Sequence, residues 1–451
     1  MSNEEEEYSF KLRLVFWLLY ETDTFFRKEK VREIIEKNGY KLKDGYPYWD
    51  CKGDLYPLKW LARESEKLTP VCFHIEKKEF ECKGRPYVKG KVSINGHVHF
   101  GGALNFHCVF DFDDYYKIDD FICVSQPANI LLLPERVSLK DRLKEFADLI
   151  TEMIQKELKK PVELHSTIKT SPWHHTWIVW DAKPDFSTKD YTMTGKNFAY
   201  ALGLALRTDK WNDLDTKAMS EQLELKDLSP YRDDCVYLTN AGNVVVPGEA
   251  LADPISMKNT LIDVLFATEI GNVQRFLTLT HLQNIMELSF EFDKVLQLMR
   301  EKETSVSEAI SQLQTLENML NRKVLEISQE LIIQKVPRVI FTSLFKTGLL
   351  KEQIRVLNGF EYFDCVEGII AKVRETLSRE REMLEIIVND EENFFLRNLQ
   401  ILFIVTLIID ISGLYFLEIE TLDLAAGSIL LSMSIVTGWF LFILLKKYKR
   451  R

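Results

Sequence analysis

The sequence predicts an α+β domain, then a long helical or coiled-coil stalk, then a C-terminal hairpin of two transmembrane helices. Three observations carry this reading. Strand-like and helix-like stretches are mixed over residues 1–252. Residues 253–394 are rich in charge, with apolar residues at helical spacing. No lysine or arginine occurs from Asn398 to Leu445. The expected divisions are therefore an α/β domain at 1–252, a stalk at 253–394, two membrane helices at 395–446 and a basic tail at 447–451.

Composition narrows the classes further. A length of 451 residues allows several domains, and a hydrophobic fraction of 46% is that of a chain mostly outside lipid. The formal net charge of -10 argues against binding a nucleic-acid polymer, which favours basic surfaces. The seven cysteines form no CxxC pair, so they read as reduced thiols in a cytosolic setting. The start, MSNEEEEYSF, is acidic where a secretory signal is basic, which leaves membrane insertion to the C-terminal end.

In the first domain, Phe10 to Tyr20 (FKLRLVFWLLY) is a buried strand and Thr24 to Lys37 a helix. KGKVSING and NFHCVFDFDD alternate as strands around the Gly101-Gly102 turn. Ser138 to Leu158 is an amphipathic helix with Ser138 as its N-cap and Asp141 at the third helical position. HTWIVW is a strand, Gly195 to Arg207 a helix, and Cys235 to Pro247 a hairpin around NAGN. This order suggests α+β layers rather than a regular parallel sheet.

Seven of the eight histidines fall between His74 and His175. His97 and His99 share a strand face, and His107 follows on the next strand. A metal site is one reading of them, and hydrogen-bonded or solvent-facing histidines on a sheet are the plainer one. In SPWHHTWIVWD, the residues Trp173, His174, His175 and Trp177 are candidate ligand contacts, because aromatic faces beside polar groups stack nucleobases. Tryptophans packed in a core are the alternative. DFDD (Asp111 to Asp114) reads as a solvated strand end. No P-loop, Rossmann fingerprint, G-x-S-x-G or H-E-x-x-H occurs, and the expectation is that the protein is not an enzyme.

In the stalk, Ile310, Leu313, Leu320, Val324, Ile327 and Leu331 follow an a/d pattern, with Glu317 in one apolar slot. Such stripes need partners, so the expectation is self-association. Val336-Pro337 stops this helix. A second helix covers 338–357 and is broken at Asn358-Gly359-Phe360. A third, with Ile369, Ile370, Val373, Leu377, Leu384 and Ile387, runs from Tyr362 toward the membrane.

The two apolar runs, Phe395 to Leu417 and Leu424 to Leu445, each have the roughly 20 residues that a span requires. The acidic link between them is short, and KKYKRR follows the second. The positive-inside rule then places both ends in the cytoplasm and leaves Glu418, Glu420 and Asp423 outside. Asp410 lies within the first run. Helical steps of eight, four and three bring Asn398, Thr406, Asp410 and Gly413 toward one stripe. That stripe is satisfied around water when several copies meet; the alternative is a bond from Asp410 to Ser432 or Ser434.

The layout resembles the CorA-type metal-ion transporters, the two-span GxN family. Their Gly-Met-Asn and following Phe correspond here to Gly413, Leu414, Tyr415 and Phe416, so two of the motif residues differ. The resemblance implies a homo-oligomer, a pentamer, in a cell membrane. Asn398, Thr406, Asp410, Gly413 and Tyr415 would line its pore, and Glu418, Glu420 and Asp423 would form an acidic outer mouth. It implies transport of Mg²⁺ or less selective cation flow, the latter because Tyr415 lacks the carboxamide of the family's asparagine. Divergent relatives beside type III CRISPR systems resemble pores opened by a nucleotide messenger. The gating ligand implied is thus Mg²⁺ or a nucleotide. A membrane-anchored sensor or scaffold without a pore is the other class the sequence allows.

Overall fold

The computed structural model describes residues 9–22, 28–43, 45–47, 55–57, 70–99, 102–158, 164–165, 173–183, 198–208, 210, 213, 215–222, 225–229, 235–246, 254–301, 306–341, 343–417 and 438. The chain divides into two compact units. The first holds Met1–Gln283 and Leu325–Val366, and the second Asn284–Val324 and Glu367–Arg451.

The first unit is built on one mixed sheet. Its strands are β1 (Ser9–Thr22), β2 (Leu42–Lys43), β5 (Val71–Cys82), β6 (Arg85–Val98), β7 (Ala103–Phe112), β8 (Ile130–Leu133), β9 (Val137–Ser138), β10 (Leu164–His165), β11 (Trp173–Lys183), β12 (Cys235–Tyr237) and β13 (Asn243–Val246). A small separate pair is made by β3 (Gly45–Pro47) and β4 (Leu55–Pro57). The main path runs β12-β13-β11-β1-β7-β6-β5-β8-β9, with β10 on β1 and β2 on β5. Pairing is antiparallel except between β11 and β13.

Helices cover both faces. On one face α1 (Lys28–Lys37), α2 (Ile118–Val124), α3 (Leu139–Leu158) and α4 (Phe198–Leu206) pack on Leu14, Phe16, Leu18, Phe106 and Phe110. A further helix, α5 (Thr216–Gln222), follows α4. On the opposite face lie α6 (Pro254–Arg300) and α8 (Leu344–Val356), whose Leu261, Leu265, Phe266, Leu349 and Leu350 meet Val15, Trp17, Ile178 and Val245. This explains why β1 is apolar at every position from Leu14 to Tyr20: a central strand covered on both faces has no solvent side. The predicted cap of α3 is present, with Asp141 N–H donating to Ser138 Oγ at 3.1 Å and that hydroxyl donating to Asp141 Oδ2 at 2.6 Å.

The second unit draws on α6, α7 (Val306–Glu330) and α9 (Gly359–Leu417). Its core joins Phe292, Val295 and Leu296 to Leu313 and Leu320 and to Val373, Leu377 and Leu384. The expected stalk stripes therefore meet each other within one chain, and this seam does not require a second copy. Glu317, the acid in the apolar pattern, is matched by Arg381 Nη1 at 2.8 Å. Between α7 and α8, Pro337 opens a single 3₁₀ turn, Pro337–Val339, as the sequence requires. Asn358, at φ 54°, separates α8 from α9.

Among the described residues no helix is long and apolar enough to cross a membrane. The expected second span, the tail, and Glu418, Glu420 and Asp423 lie outside the described residues, Gly438 excepted. So do the side chains of 408–417, although the backbone of α9 is helical through Leu417.

Candidate functional site

The sheet face beneath α6 carries a polar cluster where aliphatic side chains would be expected. Pairing sets Asn105 opposite His97 and His107 opposite Asn95, while Trp17 lies between His107 and His174. Directly opposite residues on adjacent strands share a face, so β6, β7, β1 and β11 deliver imidazoles, amides and an indole to one layer. All of these side chains are buried.

Helix α6 supplies the carboxylate. Glu269 sits in a run, 264–274, with no other charge, and that stretch is buried throughout. Its Oε1 lies 2.7 Å from His97 Nδ1 and 2.9 Å from His99 Nε2. Burial disfavours a charge on His97, but Cys72 and Glu269 beside it favour one, and its pKa is pushed up to about 10. Burial also resists the charge on Glu269, yet the His97 and His99 contacts hold its carboxyl well below the usual range. At neutral pH this is a buried imidazolium–carboxylate pair. His107, whose ring centroid is 5.2 Å from that of His97, stays neutral: burial, then the His97 charge, lowers its pKa to about 3.

A neighbouring network fixes the helices to the other end of the sheet. Asn243 Nδ2 donates to Thr268 Oγ1 on α6 and to Gln353 Oε1 on α8, both at 2.9 Å. At Gly271 a Cβ would lie 2.6 Å from Gln353 Cγ, so the close approach of α6 and α8 there depends on glycine.

Chemically, the cluster holds a proton and a charge pair that dock α6 on the sheet. The nitrogens of His97 and His99 that face Glu269 are engaged by its single oxygen. Among the described residues no group of three or more His, Cys, Asp or Glu is arranged to hold a metal ion. Among the histidines seen in the sequence, His97, His99, His174 and His175 are thus buried and hydrogen-bonded, His107 is buried beside them, and His74 is half-buried with its Nδ1 3.3 Å from Asn95 Oδ1. Glu269 escaped notice there, although a lone acid in an apolar run was a readable signal.

The candidate ligand contacts of β11 are divided by strand alternation. His174 Nε2 meets the Thr239 carbonyl at 3.2 Å, and His175 Nε2 meets the Leu204 carbonyl of α4 at 3.1 Å on the other face. Trp177 is fully buried against Phe112, Phe121 and His175, with no stacking face open to solvent. The side chain of Trp173 lies outside the described residues. DFDD is solvated at Asp113 and Asp114, while Asp111 pairs with Arg13 at 2.6 Å.

On α9, Asn398 and Thr406 turn back on their own helix, donating to Phe394 O and Leu402 O, each at 2.8 Å. At about 100° per residue, positions 398, 406, 410 and 413 fall within an arc of about 120°. The unbroken helix places Tyr415 about 200° beyond Gly413, off that arc. Around these positions Phe394, Phe395, Leu396, Ile401, Phe403, Ile404, Val405 and Leu407 are exposed, Phe403 by 70%. Together they are spread around the whole circumference of the helix.

No family model matches the chain, and no curated protein matches it by sequence. Among solved structures it is similar to the CorA magnesium transporter from Methanocaldococcus jannaschii, at 13% identity, covering 63% of this chain and 93% of that chain, with a TM-score of 0.25. A likeness at that score decides nothing about function.

Proposed function

We propose that the chain is a homo-oligomeric membrane channel for cations, opened by its N-terminal unit, with both ends in the cytoplasm. One observation carries this reading. A single 59-residue helix passes from a charge-rich, packed stretch into one that exposes large apolar side chains around its circumference up to Leu407, and Asp410 follows in the same apolar run of the sequence. A helix apolar all round needs lipid or protein around it. A lone carboxylate in such a segment marks an ion path by default. The CorA-type resemblance at Gly413 and Phe416 agrees with it, and the change at Tyr415 points to weak preference among cations.

Gating would come from a ligand of the N-terminal unit, a divalent cation or a nucleotide messenger. A thermal-shift screen with both classes tests this, since a ligand that binds only the folded state stabilises it. A flat response to all of them rejects gating by these classes. The second reading, a membrane-anchored sensor without a pore, is favoured by the seam closed within one chain. Reconstitution in liposomes loaded with a cation-sensitive dye separates the two. A channel conducts when ions are added outside, whereas an anchor partitions into the vesicles and leaves the dye unchanged.

A further inference from the structure

Cys82 ends β5 and Cys123 stands in the last turn of α2, and their sulfurs are 3.1 Å apart although the residues are 41 positions apart in sequence. That is well inside the roughly 4.0–4.5 Å at which packed side chains touch. We propose that these two thiols form a reversible disulfide modification site, oxidised by low-molecular-weight disulfides, which locks α2 to the end of β5.

The surroundings hold the pair in place. Lys83 N–H donates to Asn129 O at 2.7 Å, and Asn129 Nδ2 donates to Cys123 O at 3.0 Å. The same amide is 3.8 Å from Cys123 Sγ, and the Lys83 carbonyl faces both thiols, at 3.7 and 4.0 Å. Arg85, anchored by Asp120 at 2.6 Å, lends positive charge near Cys82, a smaller effect there than burial. Access differs between the two. Cys82 is buried and Cys123 half-buried, while Cys72, Cys108 and Cys235 are all buried. Burial, and then the bond to Cys123, pushes the Cys82 thiol up.

This order of access sets the order of reaction. The Cys123 thiolate attacks one sulfur of the small disulfide, forming a mixed disulfide and releasing one small thiolate. The Cys82 thiolate, its proton given to solvent, then attacks Cys123 Sγ and releases the second. Two protein thiols are oxidised to one disulfide, and one small disulfide is reduced to two thiols.

The test treats the full chain with oxidised glutathione, blocks remaining thiols with iodoacetamide and digests with trypsin. The expected product joins the peptide Glu79–Lys83 to Ile118–Arg136, lighter by two hydrogens than the sum of the two. Its formation should raise the thermal midpoint by several degrees, reversibly on reduction. In Cys82→Ser, Cys123 should instead accumulate as the mixed disulfide with glutathione. The proposal is overturned if the wild-type chain accumulates that mixed disulfide without the joined peptide. It is equally overturned if Cys123 fails to react where the exposed Cys365 does.

Discussion

His97 Nδ1 and Glu269 Oε1 lie 2.7 Å apart with both side chains removed from solvent, so β6 and α6 are joined by a charge pair inside the buried polar layer of the sheet. Removing one member of such a pair leaves the other charged and unmatched. Glu269→Gln should therefore destabilise the N-terminal unit by about 3–5 kcal/mol. Replacing Glu269, His97 and His99 together by leucine should restore much of that loss. Denaturant titration of the three proteins checks the order.

The same layer sets a pH profile. The pKa of His97 is raised to about 10, so its contribution is fully present below the unfolded value of about 6.5 and is lost as pH rises toward 10. His107 and His174 are lowered to about 3, chiefly by burial, and burial lowers His175 as well. Their contributions are present above about 6.5 and lost as pH falls toward 3. Glu269, also lowered, loses its share at the acid end. Stability should peak near neutrality and fall more steeply on the acid side, where several groups take up protons on unfolding. Thermal midpoints measured from pH 4 to 10 test this shape, and His107→Phe should flatten the acid limb.

In the second unit, packing should outweigh charge. Leu377→Ala, in the seam between α7 and α9, should cost about 2–5 kcal/mol. Arg381→Ala should cost far less, because Arg381 and Glu317 are each 39% exposed and solvent screens their attraction. Equal losses from the two substitutions would show that the seam depends on the ion pair.

Cation preference should follow the outer end of α9. With Tyr415 in place of a carboxamide residue, flux should discriminate weakly between Mg²⁺ and Na⁺. If the outer turn of α9 brings position 415 to the pore mouth, the double substitution Leu414→Met and Tyr415→Asn should raise the Mg²⁺ preference several-fold in liposome assays; an unchanged preference would keep position 415 off the ion path, where the regular helix sets it.

Much of the fold was legible because local rules decide it. The two-sided apolar run of β1, the Ser138–Asp141 cap, the breaks at Pro337 and Asn358 and the hairpin at Cys235–Val246 all follow from a few neighbouring residues. What was not legible depends on distance along the chain. Val71–Cys82 hides its strand behind the charges of EKKEFE, and it is ordered by pairing with β6 and β8. Glu269 meets His97 across 172 positions, a contact no periodicity announces. The stalk stripes were readable as apolar, but not that α7 and α9 of one chain would satisfy each other.

The central claim rests on Asp410, and its most direct test is ion conductance in planar bilayers. If copies of α9 line a pore, their carboxylates form a ring that attracts cations. Repulsion within the ring keeps some of them protonated. Asp410→Asn should then assemble as the wild type does but conduct cations several-fold less, with altered pH dependence. Asp410→Leu should dry the pore and nearly abolish current. Wild-type conductance in both variants would contradict the account and place Asp410 away from the ion path.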